Sequence, residues 1–243
     1  MKLDLLFLPS EIRNSELEEK LVIVIDVLRA SSTIVTALSN GAKDIIPVES
    51  QEDATRLMQE IGRKYVLLCG ERGGQKIEGF DLGNSPFEYA GEVIQDKTLI
   101  FCSTNGSRAI VKASSAGKVM VGCFINLGAV LENALESKPK EIVLLCSGKE
   151  DRFSLEDTVC AGMMISRLKD RLTESLELSD SAQAGLQIYG QHQKNLLKML
   201  NSALHGKYLL SLGFQEDLMY CSQVDSIPVV PVLQTGHLVK APL

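Results

Sequence analysis

The stretch Leu21–Thr33, LVIVIDVLRASST, decides how the chain is read. Leu21 to Ile25 is an apolar, mostly β-branched run, which predicts a strand buried on both faces. Asp26 ends the run and Arg29 follows three residues later. ASSTIVTALSN then carries a helical pattern that stops at Asn40-Gly41, a left-handed type of stop. A carboxylate and a guanidinium thus stand where a buried strand hands over to a helix. In open α/β sheets, ligands bind in the crevice outside the carboxyl ends of the strands. Asp26 and Arg29 are therefore candidate site residues, although Asp is also a preferred helix cap.

The same theme recurs along the chain. YVLLCGERGG (65–74) is a buried strand followed by Glu71, Arg72, Gly73 and Gly74. Residues 70–84 read as a long Gly-rich loop that also carries Asp81 and Asn84. Ser85-Pro86-Phe87-Glu88 reads as a helix N-terminus. In TLIFCSTNGSRAI (98–110), Ser103, Thr104, Asn105 and Gly106 occupy a strand-to-helix turn, with Arg108 in the first helical turn. Hydroxyls, free N–H groups and an Arg in that position suit a phosphate. EIVLLCSG (141–148) is a further strand, and Arg152, Glu156 and Asp157 follow it. Ser154 and Asp157 form a capping box, so Asp157 has a structural alternative that Glu156 lacks.

The remaining segments fit an alternating pattern. LDLLFLP (3–9) is a strand closed by Pro9, and Ser10–Lys20 is a polar connection. DIIPVE (44–49) is a short strand that Pro47 assigns to an edge. Residues 50–61 form an amphipathic helix with a Ser50–Asp53 capping box. KVMVGCFIN (118–126) is a strand and turn, and GAVLENALES a helix. Residues 179–204 read as an amphipathic helix; His192 and His205 have no matched metal spacing and read as surface or packing residues. Residues 206–214 make a short helix, Glu216-Asp217 open the next element, and IPVVPVLQ (227–234) is a final edge strand. The expectation is an α/β protein: three layers, α/β/α, around a mixed, largely parallel sheet. Residues 1–243 read as a single unit, either one domain or two closely packed lobes.

Bulk properties exclude several classes. The net charge of −6 and pI near 5.2 argue against nucleic acid and anionic membranes as partners. The chain has no Trp and 5% aromatics, which offers little for base stacking. MKLDLLFLP is interrupted by Asp4, so it does not read as a signal peptide, and no apolar run approaches a membrane span. Six cysteines are scattered without a CxxC pair, which suggests neither a zinc site nor a disulfide framework. A cytoplasmic location is expected.

Asp26, Glu71, Glu156 and Asp157 at strand ends would repel one another in one cleft unless a cation or protons joined them. Oxygen ligands without Cys or His pairs favour Mg²⁺. Arginines 29, 72, 108 and 152 suit a small, highly anionic substrate such as a phosphate ester. The implied chemistry is metal-assisted phosphoryl transfer to water. An aspartyl-phosphate mechanism of the haloacid dehalogenase kind needs a second Asp where Leu28 stands. The C-x5-R pattern of cysteine phosphatases is met in spacing and context by Cys102 to Arg108, and in spacing alone by Cys146 to Arg152. A Walker A loop is absent.

VIDVLRASSTIVTAL followed by NGA, GERGG…IEGFDLGNSP, STNGSRAI and SLEDTVCAG together resemble the 2-phosphosulfolactate phosphatase family, in the same order over about residues 1–235. The resemblance implies a Mg²⁺-dependent phosphoric monoester hydrolase. Its reaction would convert 2-phospho-3-sulfolactate to 3-sulfolactate and phosphate, a step on a route to coenzyme M. It also implies an α/β fold of the family's own. Carried over by motif, Asp26, Glu71, Glu156 and Asp157 would be catalytic acids, and the same four with Asp81 would hold the metal. Arg29, Arg72, Gly73, Gly74, Asn84, Thr104, Asn105, Gly106 and Arg108 would bind the small anionic phosphate–sulfonate substrate. The family often has Ser or Thr at position 102, so Cys102 would not be essential. Two other readings stay open: a cysteine-dependent phosphomonoesterase using Cys102, and a non-catalytic anion- or metabolite-binding protein. A homo-oligomer is also left open.

Overall fold

Leu21–Ile25 is the strand β2, and all five of its residues are 3% exposed or less. Parallel neighbours flank it on both sides, β7 (Lys118–Gly122) and β8 (Glu141–Cys146), with Ile23 opposite Met120 and Leu144. A strand with no solvent-facing side must be apolar at every position, which is what the run supplies. Each such side chain contributes roughly 1.5–3 kcal/mol on burial.

A computed structural model describes residues 1–12, 17–172 and 176–241, so part of the expected 10–20 connection lies outside the described residues. The strands are β1 (Lys2–Leu6), β2, β3 (Asp44–Val48), β4 (Val66–Arg72), β5 (Gln75–Lys76), β6 (Thr98–Cys102), β7, β8, β9 (Glu177–Leu178), β10 (Pro231–Gln234) and β11 (His237–Lys240). Their order in the sheet is β5-β4-β6-β3-β11-β10-β7-β2-β8-β1-β9. The helices are α1 (Ala30–Ser39), α2 (Gln51–Ile61), α3 (Gly91–Ile94), α4 (Gly106–Lys112), α5 (Leu127–Glu136), α6 (Leu155–Arg171), α7 (Asp180–His192), α8 (Leu196–Ser202), α9 (Leu204–Ser211) and α10 (Gln215–Cys221). Helices cover both sides of a mixed, mostly parallel sheet, giving the expected three layers. No helix of the described residues is long and apolar enough to cross a membrane.

The sheet has a seam. β4, β6 and β3 are mutually parallel, as are β7, β2, β8, β1 and β9. The antiparallel hairpin β10–β11 joins the two sets, pairing with β7 at Val232–Met120 and with β3 at Leu238–Ile45. Three antiparallel steps reverse the sense, so the two parallel halves run in opposite directions. Their carboxyl ends nevertheless meet. The ladder at each side of the hairpin is a single bridge, which leaves the sheet free to bend there. The site is thus built between facing strand ends rather than along one edge of a uniformly parallel sheet.

The seam also corrects two expectations. β3 and β10 lie inside the sheet, not at its edges, despite Pro47 and Pro231. A proline removes a ladder donor. Both strands tolerate the loss because they flank ladders of one bridge each. The strand expected over 227–234 begins only at Pro231, and β11 carries no strong sequence signal.

Helix α1 crosses from β2 in one half to β3 in the other, and Ala30 to Leu38 are all buried. Its hydroxyls are absorbed by backbone carbonyls: Ser32 donates to Val27 O and Thr36 to Ser32 O within the helix region, and Thr33 to the distant Asn84 O. Asn40 and Gly41 (φ +97°) end the helix as expected. Surface helix α2 contrasts with it: only Ala54 is buried, and Ser50 accepts from Asp53 N–H at 3.0 Å. The six cysteines are free and buried, consistent with small core residues.

Candidate active site

A narrow cleft opens between the facing strand ends. Asp26, Arg29, Glu71, Gly73, Gly74, Asn84, Thr104 and Asn105, all expected from the sequence, line it. Leu28, Lys149, Glu150, His205 and Tyr208 complete its walls.

Asp26 follows β2 directly and is 6% exposed. Its Oδ1 accepts from Ala30 N–H at 3.3 Å, and its own N–H is taken by Ser31 Oγ at 2.9 Å. Burial pushes its pKa up to about 7; Ser147 and Ala30 N–H pull it down, and Glu71 and Glu156 push it further up. The first residue of α4 is Gly106 for a steric reason. A Cβ there would lie 2.5 Å from Ala30 Cβ and 2.6 Å from Asp26 Oδ2. Gly106 therefore lets the two halves of the site close on each other.

Glu71 ends its strand in a different role. Its Oε2 accepts from Gly74 N–H at 2.8 Å and its Oε1 from Thr104 N–H at 2.7 Å. One carboxylate thus ties the β4–β5 turn to the turn after β6. Gly70, just before it, has φ +143°, and a Cβ there would lie 1.8 Å from Cys102 O. Asp157 is likewise committed: Oδ1 accepts from Val27 N–H at 2.9 Å and Oδ2 from Ser147 Oγ at 3.1 Å. Burial, then Asp26 and Glu156, push its pKa well up. Its backbone N–H is capped by Ser154, as the capping box implies.

Arg29 turns into the protein. It donates to Asp217 Oδ2 and to Gly74 O, both at 2.6 Å, and its guanidinium lies 4.1 Å from the centre of the Phe214 ring. Asp217 is completed by Ser85 Oγ at 2.7 Å. Guanidinium has five N–H donors, so this side chain keeps donors for the cleft it lines.

Several expected residues stand elsewhere. Asp81 is paired with Arg63 and accepts from Leu68 N–H at 2.7 Å, away from the cleft. Arg72 donates to Glu49 O and to Cys102 Sγ, outside the cleft walls. Arg108 is exposed and lines an adjoining groove with Lys112 and Pro9. Glu156 lines another groove with Phe153 and Leu204, and burial raises its pKa. Cys102 packs in a small second core with Val48, Ile100 and Phe80, and burial raises its thiol pKa against the pull of Arg72.

His205 departs from its expected surface or packing role, because it lines the cleft. Burial, then Lys149 and Arg29, push its pKa down to about 3, so it is a neutral imidazole. Among the described residues, four buried side-chain polar atoms lack a hydrogen-bond partner, and three of them belong to this cleft: Asn84 Oδ1, Thr104 Oγ1 and His205 Nδ1. Buried polar atoms are normally paired, so three orphans in one cleft mark a place built for a polar ligand. Lys149, Glu150, Tyr208 and Asp217 were also not singled out as site residues. Nothing local in the sequence separates them from surface residues.

Among the described residues, no three His, Cys, Asp or Glu side chains form a ready-made metal cage. Among the described residues at the cleft, Asn84 Oδ1, Thr104 Oγ1 and one oxygen of Asp26 have no hydrogen-bond partner, and Glu150 brings a further carboxylate to the walls. Mg²⁺ usually binds through one or two carboxylates, with waters and substrate phosphate completing its shell. The donor set is of that kind.

A model of the 2-phosphosulpholactate phosphatase family matches residues 6–236. The chain belongs to this family. A relative from Caldanaerobacter subterraneus subsp. tengcongensis is 43% identical over 227 residues, covering 93% of each chain. One from Clostridium novyi is 40% identical over 241 residues, covering 99% of this chain and all of its own. One from Carboxydothermus hydrogenoformans is 42% identical over 241 residues, covering 98% of this chain and 97% of its own. Each of the three bears the name "Probable 2-phosphosulfolactate phosphatase". Membership makes this chain one of a family of phosphoric monoester hydrolases.

Proposed function

We propose that the chain hydrolyses 2-phospho-3-sulfolactate to 3-sulfolactate and phosphate, with Mg²⁺ bound beside Asp26. The observation that carries this reading is the set of three orphaned polar atoms gathered with Asp26 in one cleft. Asp26 is a buried acid in that cleft with an oxygen not consumed by the scaffold. Asn84 Oδ1 and Thr104 Oγ1 lie on the same walls, and these hard oxygen donors suit Mg²⁺. When bound there, the ion supplies neutralisation of the phosphoryl oxygens and a more acidic water.

The chain's own residues do the positioning. Glu71 fixes the two turns that carry Gly74 and Thr104, so the cleft is shaped before substrate arrives. The remaining donors of Arg29 and the hydroxyl of Thr104 hold the phosphoryl group. Asp157 holds Val27 N–H and the Ser147 hydroxyl, and through them the loop bearing Asp26. No thiolate is needed, and the thiol of Cys102 belongs to a core outside the cleft.

The test is phosphate release from 2-phospho-3-sulfolactate by metal-stripped protein, before and after Mg²⁺ is returned. Turnover should vanish on stripping and return with Mg²⁺. Full turnover in excess chelator would overturn the metal. Failure of folded, Mg²⁺-loaded protein to release phosphate would overturn the substrate.

A further inference from the structure

A substrate with two anionic groups needs cations at two places, and the three arginines expected to bind it do not supply the second. Arg29 is anchored by Asp217 and Gly74 O, Arg72 by Glu49 O, and Arg108 lies in the adjoining groove. Lys149 is the other cation on the cleft walls. Among the described residues it forms no ion pair. It opens a tight turn closed by reciprocal backbone hydrogen bonds with Arg152, 2.8 and 2.9 Å long. The next residue, Glu150, donates its N–H to Asn105 Oδ1 at 3.0 Å, which pins the turn over the cleft. Lys149 Nζ rests 4.6 Å from the centre of the Tyr208 ring, and Tyr208 OH donates to Gly73 O at 2.9 Å. The ammonium is thus held at the mouth by a ring whose far end is fastened to the opposite loop.

We propose that Lys149 recognises the second anionic group of the substrate, its sulfonate, and so sets the preference for a doubly anionic phosphate ester. This rests on the substrate proposed above. Arg29 and Thr104 then serve the phosphoryl end, deeper beside Asp26, and Lys149 serves the other end. A compact ammonium with three rotatable donors suits a tetrahedral sulfonate that arrives at the mouth. The orphaned Nδ1 of His205, on the same wall, offers that end a hydrogen bond. Among the described residues no carboxylate lies at ion-pair distance from the ammonium; the acid that feels its charge, Glu156, lies in the outer groove that Lys149 also lines.

The test is calorimetric titration of the folded protein with 3-sulfolactate and, separately, with inorganic phosphate. Lys149→Met should weaken 3-sulfolactate by about 30-fold, the range of a charge-assisted hydrogen bond, and weaken phosphate far less. Lys149→Arg should recover part of the loss, and Tyr208→Leu, which keeps the ammonium but removes its rest, should lose less than Lys149→Met. The ratio of kcat/KM for 2-phospho-3-sulfolactate over 2-phospholactate, which lacks the sulfonate, should fall by a similar factor in Lys149→Met. Equal losses for both anions, no loss for 3-sulfolactate, or no binding of 3-sulfolactate by the wild type would overturn the assignment. Binding of 3-sulfolactate through Lys149 without hydrolysis of its phosphate ester would instead sink the substrate and leave the role of Lys149 standing.

Discussion

The ends of β2 and β4 look alike in sequence and are built for different work. Each presents an acid and then an arginine after an apolar strand: Asp26 with Arg29, and Glu71 with Arg72. Asp26 faces the cleft with an oxygen uncommitted and a pKa pushed up to about 7 by burial. Both oxygens of Glu71 are spent on backbone N–H groups. Arg29 goes inward to a buried ion pair, whereas Arg72 goes outward to a backbone carbonyl and a buried thiol. The difference teaches that an acid at a strand end is left free or spent on the scaffold according to how many donors already surround it.

Asp26→Asn is the sharpest way to break the comparison. It keeps the shape and removes the charge, so turnover should fall by about 10³-fold or more while the urea midpoint holds or rises. Retained turnover would mean that the two strand ends do not differ in the way described. The next largest effect is expected at Asp217→Asn, which strands the Arg29 guanidinium in a buried site. A broken buried pair costs roughly 3–5 kcal/mol, to be read from chemical denaturation. Glu71→Gln should show the architectural role. Gln can still accept, but its amide directs N–H groups at a backbone donor, for a loss of about 1–3 kcal/mol in stability. Activity should fall with it, and normal stability with lost turnover would instead give Glu71 a chemical role like that of Asp26.

The smallest effect is a slope. Between about pH 4 and 7 the folded, metal-free protein keeps a proton on Asp26 that the unfolded chain has lost. Asp26 therefore makes stability fall as pH rises through that window, by at most ~1.4 kcal/mol per pH unit. His205 acts oppositely: its folded pKa is about 3 against an ordinary 6.5, so the unfolded chain binds the extra proton and stability rises with pH between those values. In chelator, Asp26→Asn should make the urea midpoint climb more steeply from pH 4.5 to 6.5 than it does in the wild type, and His205→Gln should make it climb less. Parallel curves for Asp26→Asn and wild type would remove the raised pKa from the comparison.

Much of the scaffold was legible because its causes are local. An apolar run bounded by Asp26 is buried on both sides wherever it lies, and the Ser50 and Ser154 caps bond residues three positions away. The strand-end acids and the Ser-Thr-Asn-Gly turn could be named as candidates for the same reason. The two prolines misled because a proline reports a missing donor, not which neighbour would have needed it. That depends on the seam between two opposed halves, which no stretch of sequence describes.

What the residues alone determined is the list of strand ends and the chemistry that could gather at them. Which candidates do gather was decided by contacts across the chain: Val27 to Asp157 over 130 positions, and Arg29 to Asp217 over 188. Periodicity and capping extend over a few residues and carry no information at those separations. Asp81 was drawn to Arg63 by an ion pair, and His205 was brought into the cleft by packing. The physical reason is that a side chain's role is set by its burial and by the donors around it, and in a folded chain both come from residues far away in sequence.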